Sequence, residues 1–321
     1  MIYIDNKSLD PYFNLALEEY LLTSADKEIF MLWRNDNTIV VGKNQNTAAE
    51  INARYVADNN ISVVRRLTGG GAVFHDKGNL NFSFILNNDG KSFGNFGKFT
   101  APVVEVLRSL GVDAQISGRN DITVDGCKIS GNAQTVYKNR ILHHGTLLFS
   151  ADISKIAGAL NVNEAKISSK GIKSVRSRVT NISTHLKNKI TVEEFQKLLA
   201  ESFNYPQYFL TQQDIAAAKR LADEKYSTWE WNYGYSPKYS FINIMRFDGG
   251  CIEINLDIAG GIIKDAKIFG DFFGIGSISD IEQALTGVRH NEADIKKALS
   301  GIDFSKYFVG ISLDNFLELT R

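Results

Sequence analysis

The residues whose types and spacing could do chemistry fall in two stretches. The first is Val63 to Phe84, VVRRLTGGGAVFHDKGNLNFSF. An apolar run ends in Arg65 and Arg66, then come Gly69, Gly70 and Gly71, and Ala72, Val73 and Phe74 lead into His75, Asp76, Gly78 and Asn79. Both flanks read as strands, because their residues are β-branched or aromatic. Three glycines in a row cost conformational entropy, and alone they would make a bulged hairpin turn. The arginines entering the turn set a fixed cation beside bare backbone N–H groups, which suits a carboxylate or phosphate that must approach the backbone closely. The strand–GxGxxG–helix context of a dinucleotide site and the GK[ST] of a P-loop are both missing. By strand alternation Arg65 and Arg66 face opposite sides, and Arg65 is expected to be structural or solvent-exposed. His75 reads equally as a core or hairpin histidine and as a site residue.

The second stretch is Gln115 to Lys138, QISGRNDITVDGCKISGNAQTVYK. Asp125-Gly126 between alternating residues signals a type I′ hairpin, which puts Lys128 just past a tight turn at the start of a strand. Such a lysine is either a solvated hairpin residue or a positioned ammonium. The small residues Ser130, Gly131 and Ala133 suit a strand that a ligand approaches closely. Asp121 is either a solvated turn aspartate or a carboxylate for a hard divalent cation, which uses one or two carboxylates plus phosphates. His143 and His144 lack a metal-like partner set, so zinc is not expected.

The elements that must position these residues can be read in outline. Ile2 to Ile4 is a short strand, and Asp10-Pro11 opens a helix over Tyr12 to Leu22. Ile29 to Arg34 and Thr38 to Val41 read as paired strands across Asn35-Asp36-Asn37. Thr47 to Asn59 reads as one helix, Phe93 to Phe99 as a loop, and Thr100 to Leu110 as a helix stopped by Gly111. Ile141 to Ser150 is a strand and Asp152 to Leu160 a helix. Asn163 to Asn181, with Lys or Arg at 166, 170, 173, 176 and 178, shows no clear period and reads as a basic loop. A Thr-x-x-Glu box opens a helix over Thr191 to Phe203, and another covers Asp214 to Ala222. Trp229 to Tyr239 is turn-rich. Beyond it three meandering strands, Tyr239 to Phe247, Cys251 to Ile258 and Gly261 to Phe269, precede helices at Ile278 to Leu285 and Glu292 to Leu299. The expected fold is α+β: a large domain of mixed and antiparallel sheets with flanking helices over 1–238, and a small α+β domain over 239–321.

Bulk composition sets limits. The chain has 321 residues, 44% of them apolar, with 36 Lys+Arg against 36 Asp+Glu. That is ample for a core, and the charge balance gives no support for nucleic acid or an anionic membrane as partner. Cys127 and Cys251 are too few and too far apart for a disulfide framework. The N-terminus, MIYIDNKSLDPYF, has no cationic or apolar leader region, and no window reaches the ~20 apolar residues of a membrane span. A cytosolic, monomeric protein is expected.

RRLTGGGAVFHDKGN resembles the lipoate-binding loop of lipoate–protein ligases, relatives of biotin–protein ligases. FNLALEEYLL, GCKISGNAQ, HHGTLLF, KGIKSVRSRVTN, TWEWNYGYSP and GDFFG are similar to further segments of that family, so the likeness spans nearly the whole chain. It implies an ATP-dependent ligase that activates lipoate as lipoyl-AMP and passes the lipoyl group to a lysine of an acceptor domain: an E2 subunit of a 2-oxoacid dehydrogenase, the glycine-cleavage H protein, or both. It implies Lys128 as the catalytic residue, bridging carboxylate and α-phosphate. Arg66 would hold ATP phosphate, Thr68 and Gly69 to Gly71 would donate to the acyl-adenylate, Val73 and Phe74 would contact adenine, and Ala72 and His75 would belong to the same binding site. Asn79, Gly131, His144 and Gly145 would wall the pocket, Asp121 would meet Mg²⁺, and Ser174 and Arg176 would belong to a loop over the nucleotide. The alternative is an ATP-independent octanoyl or lipoyl transferase. Such relatives work through an active-site cysteine, and the only cysteine near the site is Cys127, on the strand face opposite Lys128.

Overall fold

A computed structural model describes residues 1–160, 179–233, 241–259, 262–290 and 292–320. Thirteen named strands form three sheets among these residues. The first seven-stranded sheet takes the order β1-β2-β6-β10-β9-β8-β7. Its strands are β1 (Ile2–Asp5), β2 (Ile29–Trp33), β6 (Asn79–Asn87), β7 (Gln115–Ser117), β8 (Asp121–Val124), β9 (Cys127–Tyr137) and β10 (Arg140–Leu148). A three-stranded sheet of β3 (Thr38–Val41), β4 (Ser62–Arg65) and β5 (Val73–His75) has β3 in the middle. The C-terminal sheet is β11 (Phe241–Phe247), β12 (Gly250–Ala259) and β13 (Ile262–Gly270).

The large sheet is covered on both faces, and the side-chain alternation of its strands divides the core accordingly. From β2, Phe30 and Leu32 join Phe82 and Phe84 under helix α4 (Phe96–Ser109) and the helix Val192–Phe203. Met31 and Trp33 face the other way, toward Leu15, Leu17 and Leu21 of helix α1 (Pro11–Ser24), which also packs on Val40 and Val64 of the small sheet. Helix α1 is thus wedged between two sheets, which is why its apolar residues run nearly all round it and why Asn14 and Glu18 on it are buried. The C-terminal strands and helices share a separate core that includes Ile254, Leu256, Phe308 and Phe316.

Several expected elements hold. Asp10 caps α1, accepting from the Tyr12 amide at 2.9 Å. The Thr191–Glu194 capping box is made in both directions. Asp125 and Gly126 both have positive φ, +50° and +75°, as a type I′ turn needs. The three C-terminal strands and the two helices after them form where they were read.

Other expectations are corrected. β2 and β3 do not pair. Each is buried on both faces, so the chain between them crosses from one sheet to the other. Asn35 anchors that crossing with its buried side chain. The helix expected over 47–59 is two short pieces, α2 (Thr47–Glu50) and α3 (Ala53–Asp58), because Ile51 bridges to Leu160 and Asn52 turns its side chain to cap the second piece. The loop expected over 93–99 is half helix: Asn95 caps α4 by accepting from the Lys98 amide, and Phe96 and Phe99 are its buried residues. The glycine run, in keeping with its reading as something other than a hairpin turn, connects β4 and β5, which flank β3 instead of each other. A last helix, Leu313–Leu319, was not anticipated.

Candidate active site

The glycine run is wrapped around Arg66. The Arg66 amide donates to Val41 O at 3.0 Å, extending the β3–β4 ladder. Its guanidinium donates to Val40 O (3.1 Å), Thr68 Oγ1 (2.9 Å), Gly69 O (2.7 Å) and Gly71 O (2.9 Å). Burial lowers its pKa to about 10, so it stays cationic at neutral pH. Gly70 has φ +92°, where a side chain is strained, and a Cβ there would lie 3.0 Å from Arg66 Nη2 and 3.3 Å from the Phe273 ring. At Gly42 a Cβ would collide with Gly70 O, and at Gly69 with Phe272 O. Arg65 is structural, as expected, but not exposed: it is buried and donates to Gly42 O, Gln45 O, Thr47 Oγ1 and Trp231 O.

Behind the loop runs a buried polar chain. Thr68 Oγ1 lies 2.8 Å from His144 Nε2, and His144 Nδ1 lies 3.0 Å from both oxygens of Glu18. Ser83 Oγ donates to Glu18 Oε1 at 2.6 Å and accepts from Trp33 Nε1 at 2.8 Å. Glu18 therefore fixes the ring of His144, and His144 fixes the loop that Arg66 holds. His143 points the other way, stacked on Phe99 and bonded to Gln134, and burial holds its pKa well below the usual histidine value.

Lys128 lines the same cavity as the loop. Its Nζ is 2.8 Å from Asp121 Oδ1, and its carbonyl accepts from the Thr180 amide at 3.0 Å. A Cβ on Gly131 would sit 2.8 Å from that Nζ, so any side chain there would displace the ammonium. The Gly131 amide donates to Thr146 Oγ1 at 3.1 Å. Strand register sets Trp33 opposite Asn81, Asn81 opposite Thr146, and Gly131 opposite Asp121. With the Gly131–Thr146 bond these five residues make one row across one face of the large sheet. Four strand spacings of roughly 4.8 Å put Trp33 and Asp121 about 19 Å apart. The row floors a cavity of about 390 Å³.

Arg66, Gly70, Gly71, Ala72, Val73, His75, Asp121, Lys128, Gly131, His144 and Gly145 all line this cavity. Four expected residues are not among its lining residues. Thr68 and Gly69 form the layer behind the loop. Phe74 alternates away from Val73 and His75 into a small cluster with Ile39, Val41 and Ile51, so only its backbone could meet a nucleotide. Asn79 is fully buried and donates to Asn81 Oδ1 at 2.9 Å, so its neighbour Asn81 forms the wall instead. Ser174 and Arg176 lie outside the described residues. Cys127 is not among the lining residues.

Sequence reasoning missed the contribution of the C-terminal strands. Arg246, Asp248, Asp271 and Phe273 line the same cavity. Phe273 is buried against Phe96, with ring centroids 5.4 Å apart, and the Arg119 guanidinium lies 4.3 Å over its ring. The available signal was GDFFG itself, two adjacent phenylalanines between glycines in a turn, where an exposed apolar pair would be costly.

A caged arginine, a backbone-lined glycine loop and a lysine around one cavity suit a protein that brings two anionic reactants together. The chain belongs to the lipoyl protein ligase family: the description "Lipoyl protein ligase A/B catalytic domain" matches residues 10–204, and "Bacterial lipoate protein ligase C-terminus" matches 236–319. It is 50% identical to the lipoate-protein ligase LplJ of Bacillus subtilis and 48% identical to lipoate–protein ligase 1 of Staphylococcus aureus, in each case over 99% of both chains. Among solved structures it is similar to P. falciparum LipL1 in complex with lipoate (TM-score 0.79, 26% identity, 99% of this chain and 97% of that one). It is also similar to the bipartite lipoate protein ligase of Thermoplasma acidophilum, described with its E2 lipoyl domain (0.66, 30%, 75% and 98%). A third is a lipoate-protein ligase A bound with ATP (0.62, 29%, 73% and 97%).

Proposed function

We infer that this protein is an ATP-dependent lipoate–protein ligase. A lipoate carboxylate oxygen attacks the α-phosphorus of ATP, pyrophosphate leaves, and the resulting lipoyl-AMP acylates a lysine ε-amine of an acceptor lipoyl domain as AMP departs. The observation that carries this reading is that Lys128, paired with Asp121 at one end of the cross-sheet row, lines one cavity with the loop held by Arg66. Two anions must meet, and there is little covalent work for protein groups in such a transfer, so fixed cations and donors supply the catalysis. Lys128 would touch both the carboxylate and the α-phosphate, and the glycine loop would offer backbone N–H groups without a Cβ in the way.

Asp121 suits a Mg²⁺ that arrives with ATP, because that ion commonly uses one or two protein carboxylates and takes its remaining ligands from phosphates and water. Bound there, the ion would neutralise phosphate charge. The relatives bound with lipoate and with ATP support both as substrates, and the relative described with an E2 lipoyl domain supports that class of acceptor. A glycine-cleavage H protein is a further candidate acceptor. The two family matches, ending at 204 and beginning at 236, support a division into 1–238 and 239–321. That the described helices include none long and apolar enough to cross a membrane fits a cytoplasmic enzyme.

Lipoate-dependent exchange of radiolabelled pyrophosphate into ATP tests the first step, and the mass of a lipoyl domain incubated with lipoate, Mg²⁺-ATP and enzyme tests the second. A gain of one lipoyl group is expected. Acyl transfer that needs no ATP would instead favour the transferase reading.

A further inference from the structure

Resting on the ligase reading, the geometry points to His75 as the residue that selects the tail of the acyl substrate. We propose that its Nε2–H donates to a hydrogen-bond acceptor at the far end of the acid, so that the dithiolane sulfurs of lipoate are preferred over the plain methylene tail of octanoate.

The neighbours of His75 fix its tautomer. Asn14 Nδ2 donates to two backbone carbonyls, Ser8 O at 3.0 Å and Arg34 O at 2.8 Å, which fixes the orientation of that amide. It also donates to Asn35 Oδ1 at 2.9 Å. The Asn35 nitrogen therefore faces His75 Nδ1, 3.1 Å away, and donates to it. A histidine that accepts at Nδ1 carries its proton on Nε2 when neutral. Burial and the neighbouring Arg66 and His144 keep the ring neutral, with its pKa lowered to about 3.

That Nε2–H is buried and has no hydrogen-bond partner among the described residues, although the side chain lines the cavity. Asn81 Nδ2 is in the same condition, and Asn81 is the row neighbour of Trp33. His75 meets Trp33 edge to face, with ring centroids 6.5 Å apart. Two unpaired buried polar groups thus stand at the Trp33 end of the row, the end remote from Lys128 and Asp121. An acid whose carboxylate reaches Lys128 sends its tail there. An aliphatic tail leaves the donors unpaired, whereas a tail with acceptor atoms pairs them. Leaving such a donor unmatched typically costs about tenfold or more in binding.

The test compares kcat/KM for acid-dependent ATP–pyrophosphate exchange with lipoate and with octanoate. Wild type should favour lipoate by about tenfold or more, and His75→Phe, which keeps a ring but loses the donor, should reduce that ratio at least fivefold. A wild-type ratio near one, or a ratio unchanged in His75→Phe, overturns the proposal. Should His75→Phe fail to fold, the wild-type enzyme decides through 6-methoxyhexanoate, which replaces one methylene of octanoate by an ether oxygen: turnover equal to or better than octanoate supports the donor, and a clear loss overturns it. Absence of exchange with every acid would instead count against the ligase reading.

Discussion

Lys128 Nζ lies 2.8 Å from Asp121 Oδ1 across the β8–β9 hairpin, with Gly131 directly beside the ammonium. Both side chains are about a third exposed, at 38% and 35%, so the pair adds little to folding; comparable exposed pairs contribute about 0–1 kcal/mol. Its consequence is positional. Asp121→Asn should leave the thermal midpoint within a degree or two of wild type, lower the rate of lipoyl-AMP formation, and raise the Mg²⁺ concentration needed for half-maximal rate. An unchanged Mg²⁺ dependence would remove Asp121 from the metal site.

Gly131→Ala offers a finer displacement of the same group. The added methyl would approach Lys128 Nζ at 2.8 Å and Cε at 3.0 Å, both at the mobile end of the side chain. The fold should tolerate it, but a shift of about 1 Å in a positioned group can cost about 10²-fold in rate. Circular dichroism melts and pyrophosphate exchange on the same preparation separate the two effects.

Gly70→Val tests the loop. At φ +92° a β-branched residue pays on the order of 1–3 kcal/mol in backbone strain, and its side chain would press on Arg66 and Phe273. The expected result is a folded but less stable protein that forms no detectable lipoyl-AMP. Normal turnover would reduce the glycine run to a connection between β4 and β5.

The two buried neutral histidines make stability pH-dependent. Burial lowers the pKa of His75 to about 3 and that of His143 well below the usual histidine value, while both titrate near 6.5 in the unfolded chain. Below pH 6.5 the unfolded state binds more protons, so stability present above that pH is lost as pH falls toward 3, by up to about 1.4 kcal/mol per pH unit for each ring. Urea unfolding at pH 7, 6 and 5 should show this decline. His75→Phe should make it shallower by about one ring's share, and an identical slope would mean that His75 is not buried as a neutral ring.

The sequence made the anion cradle and the lysine hairpin legible because both are local. A glycine run after paired arginines and an Asp-Gly turn declare their backbone geometry within a few residues. The departures come from tertiary partners. Asn35 looked like a turn residue, yet its burial against Asn14 and His75 carries the chain between two sheets. Phe96 looked like loop material until α4 acquired the Asn95 cap. Asn79 and Asn81 differ in sequence only by position, and which one faces the cavity depends on the register of β6 against β2 and β10. No local pattern could have brought Phe273 to Phe96, since that contact joins residues far apart in the chain.

The proposed role of Lys128 is to stabilise charge as it moves between carboxylate and α-phosphate. Loss of one preorganised donor costs on the order of 10²–10³ in rate, and a cation bridging both reactants should cost at least that. Single-turnover formation of lipoyl-AMP by Lys128→Ala, with lipoate binding and thermal melting measured on the same sample, tests it most directly. The rate should fall at least about 10²-fold below wild type, with poor rescue by Lys128→Arg because a planar fork replaces a compact ammonium, and with much smaller changes in lipoate affinity and melting temperature. A Lys128→Ala enzyme that forms lipoyl-AMP within about tenfold of the wild-type rate, well short of the loss expected for one donor, would contradict it.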